Sequence, residues 1–335
     1  MLAALSSALL LTAVEGCAVR QGSLRDLPSH ALARSQITSA GSSPFHLRAK
    51  TFEATNLDNQ NYDAEIDEVW VAPNKWRRII KSAKFSEVLI ASDGKFSEQL
   101  IGEYYPHWLH TLVNAIFEPG APLQGVDLTK SDDNPEPGGP GTCRRFGYRV
   151  GIPPVQNTIF ATYCFQNGLI ESIGSPVGDY GGDYSAYKKF GHQQVARKIQ
   201  EWIEPGTTLE ADIVALNDAH SANDDSTFAI SHPSNPLRTV FVEERILREM
   251  AVNSPAMRWP TIKDGKPVGA LSIYVCLDRQ GHVRESYGLN SDNPYMTDAA
   301  RKQIMNWTFK PALDNGESVQ MEGILTFAYQ TSIVQ

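Results

Sequence analysis

Few residues in this chain are of the type and spacing that do chemistry. His107 and His110 stand three apart in "YYPHWLHTLVNAIF" (104–117), a segment with helical spacing, so both rings can approach one metal ion. No third ligand follows at matching spacing and no H-E-x-x-H occurs, so no metal site is expected. Glu65, Asp67 and Glu68 are neighbours in sequence, but strand alternation splits their faces, which argues against paired-carboxylate catalysis. No G-x-S-x-G stands at a strand-to-helix turn, so a nucleophilic serine has no local signature. The glycine-rich "GSPVGDYGGDY" (174–184) lacks the G-x-G-x-x-G of a dinucleotide site. The expectation is a protein that is not an enzyme and needs no cofactor.

The cysteines carry a different message. Cys143 in "TCRRFGYRV" and Cys164 in "IFATYCFQNG" lie in two segments that read as neighbouring strands. In an exported chain such a pair is expected to form a disulfide. A loop of roughly 20 residues would be worth about 3 kcal/mol on the loop-entropy account. Cys276 stands alone in a strand pattern and reads as a buried free thiol.

The beginning of the chain supports export. "LAALSSALLLTAV" (2–14) is an uncharged run with the length of a signal-peptide core, shorter than the ~20 residues of a membrane span. A positively charged start is missing, and a buried amino-terminal helix is the other reading. A stretch read as a flexible leader (19–41) follows it. Cleavage after Ala18 and lipidation of Cys17, which Gly16 precedes, are two routes of processing; Glu15 is unusual for the second. The formal charge of −8 and pI near 5.5 supply no basic field for nucleic acid.

At 335 residues the chain has room for two domains. Residues 42–216 read as nearly all antiparallel β with one helix. Asp93-Gly94 and Asn167-Gly168 mark hairpin turns, and Trp108, Leu112, Ala115 and Ile116 share one helix face. "YSAYKKFGHQQVARKIQEWIEPGTTLEADIVALNDA" (184–219) reads as three short strands, and 217–239 as a linker. Residues 240–332 form an α+β unit: a helix over 240–252 with Val242, Ile246 and Met250 on one face, and a strand with Leu271, Ile273, Val275 and Leu277 on one side. A second strand, a helix presenting Met296, Ala300, Ile304 and Trp307, and a last strand at 322–330 complete it.

The carboxy-terminal motifs are "DRQGHV", "TDAARKQIMNWTFKPALDNGE" and "MEGILTFAYQ". Their order and spacing over about 255–330 resemble the TonB carboxy-terminal domain, with Arg258-Trp259-Pro260 where that family commonly has Tyr-Pro. The resemblance implies that Trp307 and Phe309 are core aromatics, that Pro311 ends regular structure, and that Lys310 is solvated. It also implies recognition of an extended segment of an envelope protein by strand addition. The edge would be Ile324, Leu325, Thr326, Phe327, Ala328 and Tyr329; completion of the domain or homodimer pairing through the same strand are the alternatives.

Residues 45–216, with "VWVAPNKWRR", "ASDGKF", "YCFQNGLI" and "LEADIVAL" in order, are similar to periplasmic lipoprotein carriers of the LolA/LolB type. That implies an incomplete barrel sheltering a lipid or acyl chain, with Phe45, Trp70, Trp76, Phe96, Trp108 and Phe160 as lining aromatics; ordinary core packing accounts for each equally well. The combined expectation is a protein of the periplasm or cell envelope of a Gram-negative bacterium, lipid-anchored if Cys17 is acylated. It would be a lipid- or lipoprotein-binding half-barrel fused to a TonB-like module. The alternatives are a TonB-type transport component meeting an outer-membrane receptor, and a ligand-binding enzyme with its site in the first domain.

Overall fold

Period-two alternation of buried and exposed residues runs through most of the chain and decides its architecture. A computed structural model of the protein describes residues 27–39, 41–55, 61–119, 132–135, 142–174, 181–204, 207–220 and 225–334. The signal segment 1–18, with Cys17, lies outside the described residues. Strands β1 (Phe45–Thr55), β2 (Ala64–Ala72), β3 (Lys75–Ser82), β4 (Ser86–Ser92) and β5 (Lys95–Ile101) form a meander. Strands β6 (Asp132–Pro135), β7 (Thr142–Ile152), β8 (Val155–Gln166), β9 (Leu169–Gly174) and β10 (Gly181–Ser185) form a second one. Strands β13 (Lys198–Glu204) and β14 (Thr207–Asp218) join them into one antiparallel sheet of 12 strands, ordered β5-β4-β3-β2-β1-β14-β13-β10-β9-β8-β7-β6.

That sheet is open, with β5 and β6 at its two ends. Asp93-Gly94 and Asn167-Gly168 adopt positive φ at both positions, the geometry whose twist matches a two-residue hairpin. The inner face carries Phe45, Leu47, Ile66, Trp70, Ile80, Ile159, Tyr163, Ile199 and Leu209, all buried. Against it packs α2 (His107–Phe117), whose Trp108, Leu109, Leu112, Val113 and Ile116 are buried in the same core.

The carboxy-terminal part begins with β15 (Thr239–Val242), α3 (Glu244–Met250) and β16 (Ala251–Asn253). It continues through β17 (Val268–Leu277), β18 (Val283–Ser291), α4 (Pro294–Ile304), β19 (Thr308–Phe309), β20 (Ala312–Asp314) and β21 (Glu317–Gln330). Its main sheet has the order β15-β21-β17-β18, with β20 paired to the start of β21. Leu271, Ile273, Val275, Leu277, Leu325, Phe327 and Tyr329 form one face, a core shared with α3, α4, Trp307 and Phe309. Tyr274, Cys276, Tyr287, Leu289 and Ile324 form the other and belong to the core of the half-barrel. Both faces of this sheet are therefore buried, as in sheets covered on two sides. The two units expected from the sequence are not held apart by a linker but share one hydrophobic seam.

Several local expectations change for physical reasons. The stretch read as a flexible leader contains a helix, α1 (Leu27–Ser35), anchored by buried Ala31 and Ile37 and by Arg34 donating to the carbonyls of Asn167 and Gly168. The linker contains a 3-10 turn at Asp225–Phe228 with Phe228 buried, and Leu237 donates its N–H to the Glu98 carboxylate. The helix expected over 240–252 is split. Residues 239–242 pair in parallel with 320–323, leaving a helix in which Leu247 is buried and Ile246 exposed. Five strands, not three, occupy 181–218, because β11 (Lys188–Phe190) and β12 (Gln193–Val195) make a small hairpin of their own.

Candidate functional site

The seam is built by α2 on one side and by the inward face of β17, β18 and β21 on the other. Cys276 and Glu322 are direct cross-strand partners, so their side chains leave the sheet side by side. Both are almost fully buried, at 1% and 3% exposure. Opposite them, His107 and His110 project from the first turns of α2. Nδ1 of His107 lies 2.9 Å from Oε1 of Glu322, and Nδ1 of His110 lies 3.9 Å from the same oxygen. The Tyr274 hydroxyl donates to Oε2 of Glu322 at 2.6 Å. The sheet also grips the start of the helix: the backbone N–H of His107 donates to Glu285, and the Gln320 amide accepts from Tyr105 N–H and donates to its carbonyl. A carboxylate at a helix N-terminus satisfies an otherwise unpaired donor and suits the helix dipole.

Charge inside the seam follows from this packing. Burial alone would push Glu322 up, but the His107 and His110 rings hold it well below the usual carboxylate range. For His107, burial works downward and is outweighed by the Glu322 carboxylate, which holds the imidazole above its ordinary value. The Cys276 thiol is pushed far up by burial and by the nearby Glu322 and Glu285 charges.

Beside the seam opens a cleft of about 690 Å³. Its apolar lining comes from Tyr62, Tyr104, Trp108, Tyr287 and Met305, and its charged lining includes Lys84, Arg284, Arg301, Lys302, Glu103 and Glu285. The half-barrel supplies one wall and β18 with α4 the other. Arg284 is bound by Asp278 at 2.8 Å, and Arg301 donates to the Ser286 carbonyl.

The aromatics expected to line a half-barrel cavity meet different fates. Phe45 and Trp70 are buried and stacked, with ring centroids 5.5 Å apart. Trp76 and Phe96 pack edge to face at 6.5 Å on the inner face. Trp108 lines the cleft. Phe160 is a correction: Ile159, Ala161 and Tyr163 point inward, so Phe160 faces outward beneath the Arg145 guanidinium. The Cys143–Cys164 disulfide forms as expected, also away from the inner face.

A second charged group sits deep in the half-barrel. Glu68 is fully buried and accepts from Arg78 Nε at 2.5 Å, while the Arg78 guanidinium lies 4.2 Å over the Phe117 ring. Glu201, buried beside the Tyr184 hydroxyl, has its carboxyl pushed up to about 8 by burial.

In the carboxy-terminal unit, Trp307 and Phe309 are buried in the core, and Lys310 and Pro311 are exposed. Trp259 is half-buried against Tyr329 at 5.8 Å, flanked by exposed Arg258 and Pro260. The strand expected to be a bare edge has neighbours on both sides for part of its length. Beyond β15, Thr326 N–H donates to Glu244 and Thr326 O accepts from Arg248, so side chains of α3 take the place of a strand. Of the six expected edge residues, Ala328 is exposed and Ile324, Leu325, Thr326, Phe327 and Tyr329 are buried. A groove of about 470 Å³ runs beside Ala328, lined by Met257, Trp259, Trp307, Phe309 and Phe327.

No protein-family model matches the sequence, and no curated protein matches it. Solved structures similar to this chain include a DUF1329 family protein from Desulfovibrio piger, 9% identical, with a TM-score of 0.36 over 62% of this chain and 96% of that one. Another is a LolA superfamily protein from Nitrosomonas europaea, 7% identical, with a TM-score of 0.30 over 62% of this chain and 97% of that one. No likeness to a TonB domain comes from these comparisons. Among the described residues no helix is long and apolar enough to cross a membrane.

Proposed function

We propose that this is a non-enzymatic protein of the bacterial cell envelope that holds a lipid, or the acyl chain of a lipoprotein, in the cleft between half-barrel and carboxy-terminal sheet. The observation that carries the reading is the cleft itself. Its volume of about 690 Å³ lies in the range of ligand sites, with aromatic walls from Tyr62, Trp108 and Tyr287 and cations at Lys84 and Lys302. Such a lining suits an amphiphile: an apolar chain along the rings and an anionic head at the cations. The concave face of the half-barrel, where a LolA-type carrier is expected to shelter its cargo, is filled here by α2 and the carboxy-terminal sheet. The Cys143–Cys164 disulfide supports an oxidising compartment such as the periplasm.

Native mass spectrometry of protein recovered from the envelope fraction tests this reading, together with titration of an NBD-labelled phosphatidylglycerol. The expected result is an added mass matching a phospholipid or acyl peptide, and at least tenfold weaker probe binding in the Lys84→Glu/Lys302→Glu variant. A bare protein whose probe binding ignores both substitutions overturns it.

A second reading keeps the carboxy-terminal unit as a docking module for an extended segment of an envelope protein. It is favoured by the groove beside Ala328 and by the buried indole N–H of Trp307, a lining residue with no acceptor among the described residues. A TonB-type transport component contacting an outer-membrane receptor is the narrower form of this reading. Amide shifts confined to the groove on adding receptor peptides would favour it; peptides that move no signal there would sink it.

A further inference from the structure

We propose that His107, Cys276 and Glu322, with His110 as the fourth donor, form a zinc site that bolts the half-barrel to the carboxy-terminal sheet. One ligand atom from each of the first three already lies within 4.8 Å of the others. Tetrahedral zinc with Zn–N and Zn–O near 2.1 Å and Zn–S near 2.3 Å needs ligand–ligand separations of roughly 3.3–3.7 Å, so only side-chain adjustments separate this cluster from a coordination shell. His110 Nδ1, 3.9 Å from Oε1 of Glu322, approaches the same position from the next turn of the helix.

The architecture is that of a built site. Two histidines at i and i+3 share a helix face, and a cross-strand Cys/Glu pair shares a sheet face; neither pair completes a site until the two units dock. The outer ring nitrogens have partners of their own. Nε2 of His107 meets the Thr111 hydroxyl at 3.4 Å and Nε2 of His110 meets the Asn114 amide at 3.3 Å, which turns each Nδ1 toward Glu322. Tyr274 holds the second carboxylate oxygen. Hydrogen bonds of this kind fix ligand orientation in metal sites. The donor set of two imidazoles, a thiolate and a carboxylate matches zinc better than calcium or magnesium, which take oxygen alone. The neighbouring cleft, lined by Tyr104, Glu285 and Tyr287, offers a path of entry.

Cobalt(II) added to the chelator-treated full chain is the test, because cobalt reports its ligands by colour. The expected result is intense tetrahedral d–d absorption with a thiolate-to-cobalt band, bleached by zinc. The band should vanish in Cys276→Ser, and the d–d intensity should drop in His110→Asn. Zinc should raise the Tm of the wild type and leave Cys276→Ser unmoved. A folded wild-type protein that gives no thiolate band with cobalt overturns the proposal. So does a band that persists in Cys276→Ser.

Discussion

Nδ1 of His107 lies 2.9 Å from Oε1 of Glu322, although 215 positions separate them in the chain. The contact joins the helix of one unit to the sheet of the other, inside a core that both share. Units joined through a common core unfold together. Calorimetry of the wild type should therefore show one transition. Glu322→Ala removes the acceptor of both His107 and Tyr274, and should lower the Tm or split the transition in two. An unchanged single transition would mean that the seam is stabilised by its apolar contacts alone.

Inside the half-barrel, Glu68 and Arg78 form a buried pair with Arg78 resting on Phe117. Arg78→Met leaves an uncompensated buried carboxylate, so it should cost about 3–5 kcal/mol in urea denaturation. Glu68→Leu combined with Arg78→Met should recover most of that loss, since neither charge then remains buried.

Glu201 gives the protein a pH dependence of known sign. Burial raises its folded-state pKa to about 8, whereas the unfolded chain releases the proton in the ordinary carboxylate range. Its stabilising contribution is full below about pH 4, falls as pH rises and is lost by the time pH passes about 8. Within that window the slope is about 1.4 kcal/mol per pH unit. Glu201→Gln, which mimics the protonated form, should be flatter with pH, and its Tm advantage over the wild type should grow between pH ~5 and ~8.

The Cys143–Cys164 bridge joins directly paired residues of β7 and β8. Its removal in Cys143→Ser/Cys164→Ser should cost about 3 kcal/mol while leaving the far-ultraviolet circular dichroism intact, because Ile159, Ala161 and Tyr163 on the inner face are untouched.

Thr326 is shielded by Glu244 and Arg248 rather than by a strand. Glu244→Ala/Arg248→Ala should bare its backbone, and analytical ultracentrifugation should then show stronger self-association than in the wild type. A variant whose association state matches that of the wild type would show that the side-chain cap does not govern the edge.

Local physics made much of the fold legible in the sequence. Alternation set the strands of the half-barrel, and Asp93-Gly94 and Asn167-Gly168 set their hairpins through positive φ. The apolar stripe of α2 followed from side-chain spacing, and the burial of Trp307 and Phe309 was what the family resemblance implied. The same physics failed where a partner from afar decides. Alternation can place Phe160 on one face of β8, but it cannot say which face is inside. Alternation separates Glu68 from Asp67, but it does not foretell that Arg78 and Phe117 meet Glu68 on the buried face. Gly151 shows the same limit in part: its φ of +98° favours glycine, and a β-carbon there would meet Val155 O at 2.5 Å and the Gln156 α-carbon at 3.1 Å within the hairpin, while only docking adds Thr326 of the other unit at 3.2 Å.

The sequence by itself determined most strands of the large sheet, the helix α2 and the disulfide pair, because each depends on periodicity or on neighbours in one hairpin. The tertiary structure alone decided that the second sheet lies on the inner face of the first. That docking brought His107 and His110 to Cys276 and Glu322, filled the concavity, and opened the cleft beside Trp108. No spacing along the chain encodes such a meeting, since it is the burial of two sheet faces against one helix that selects it.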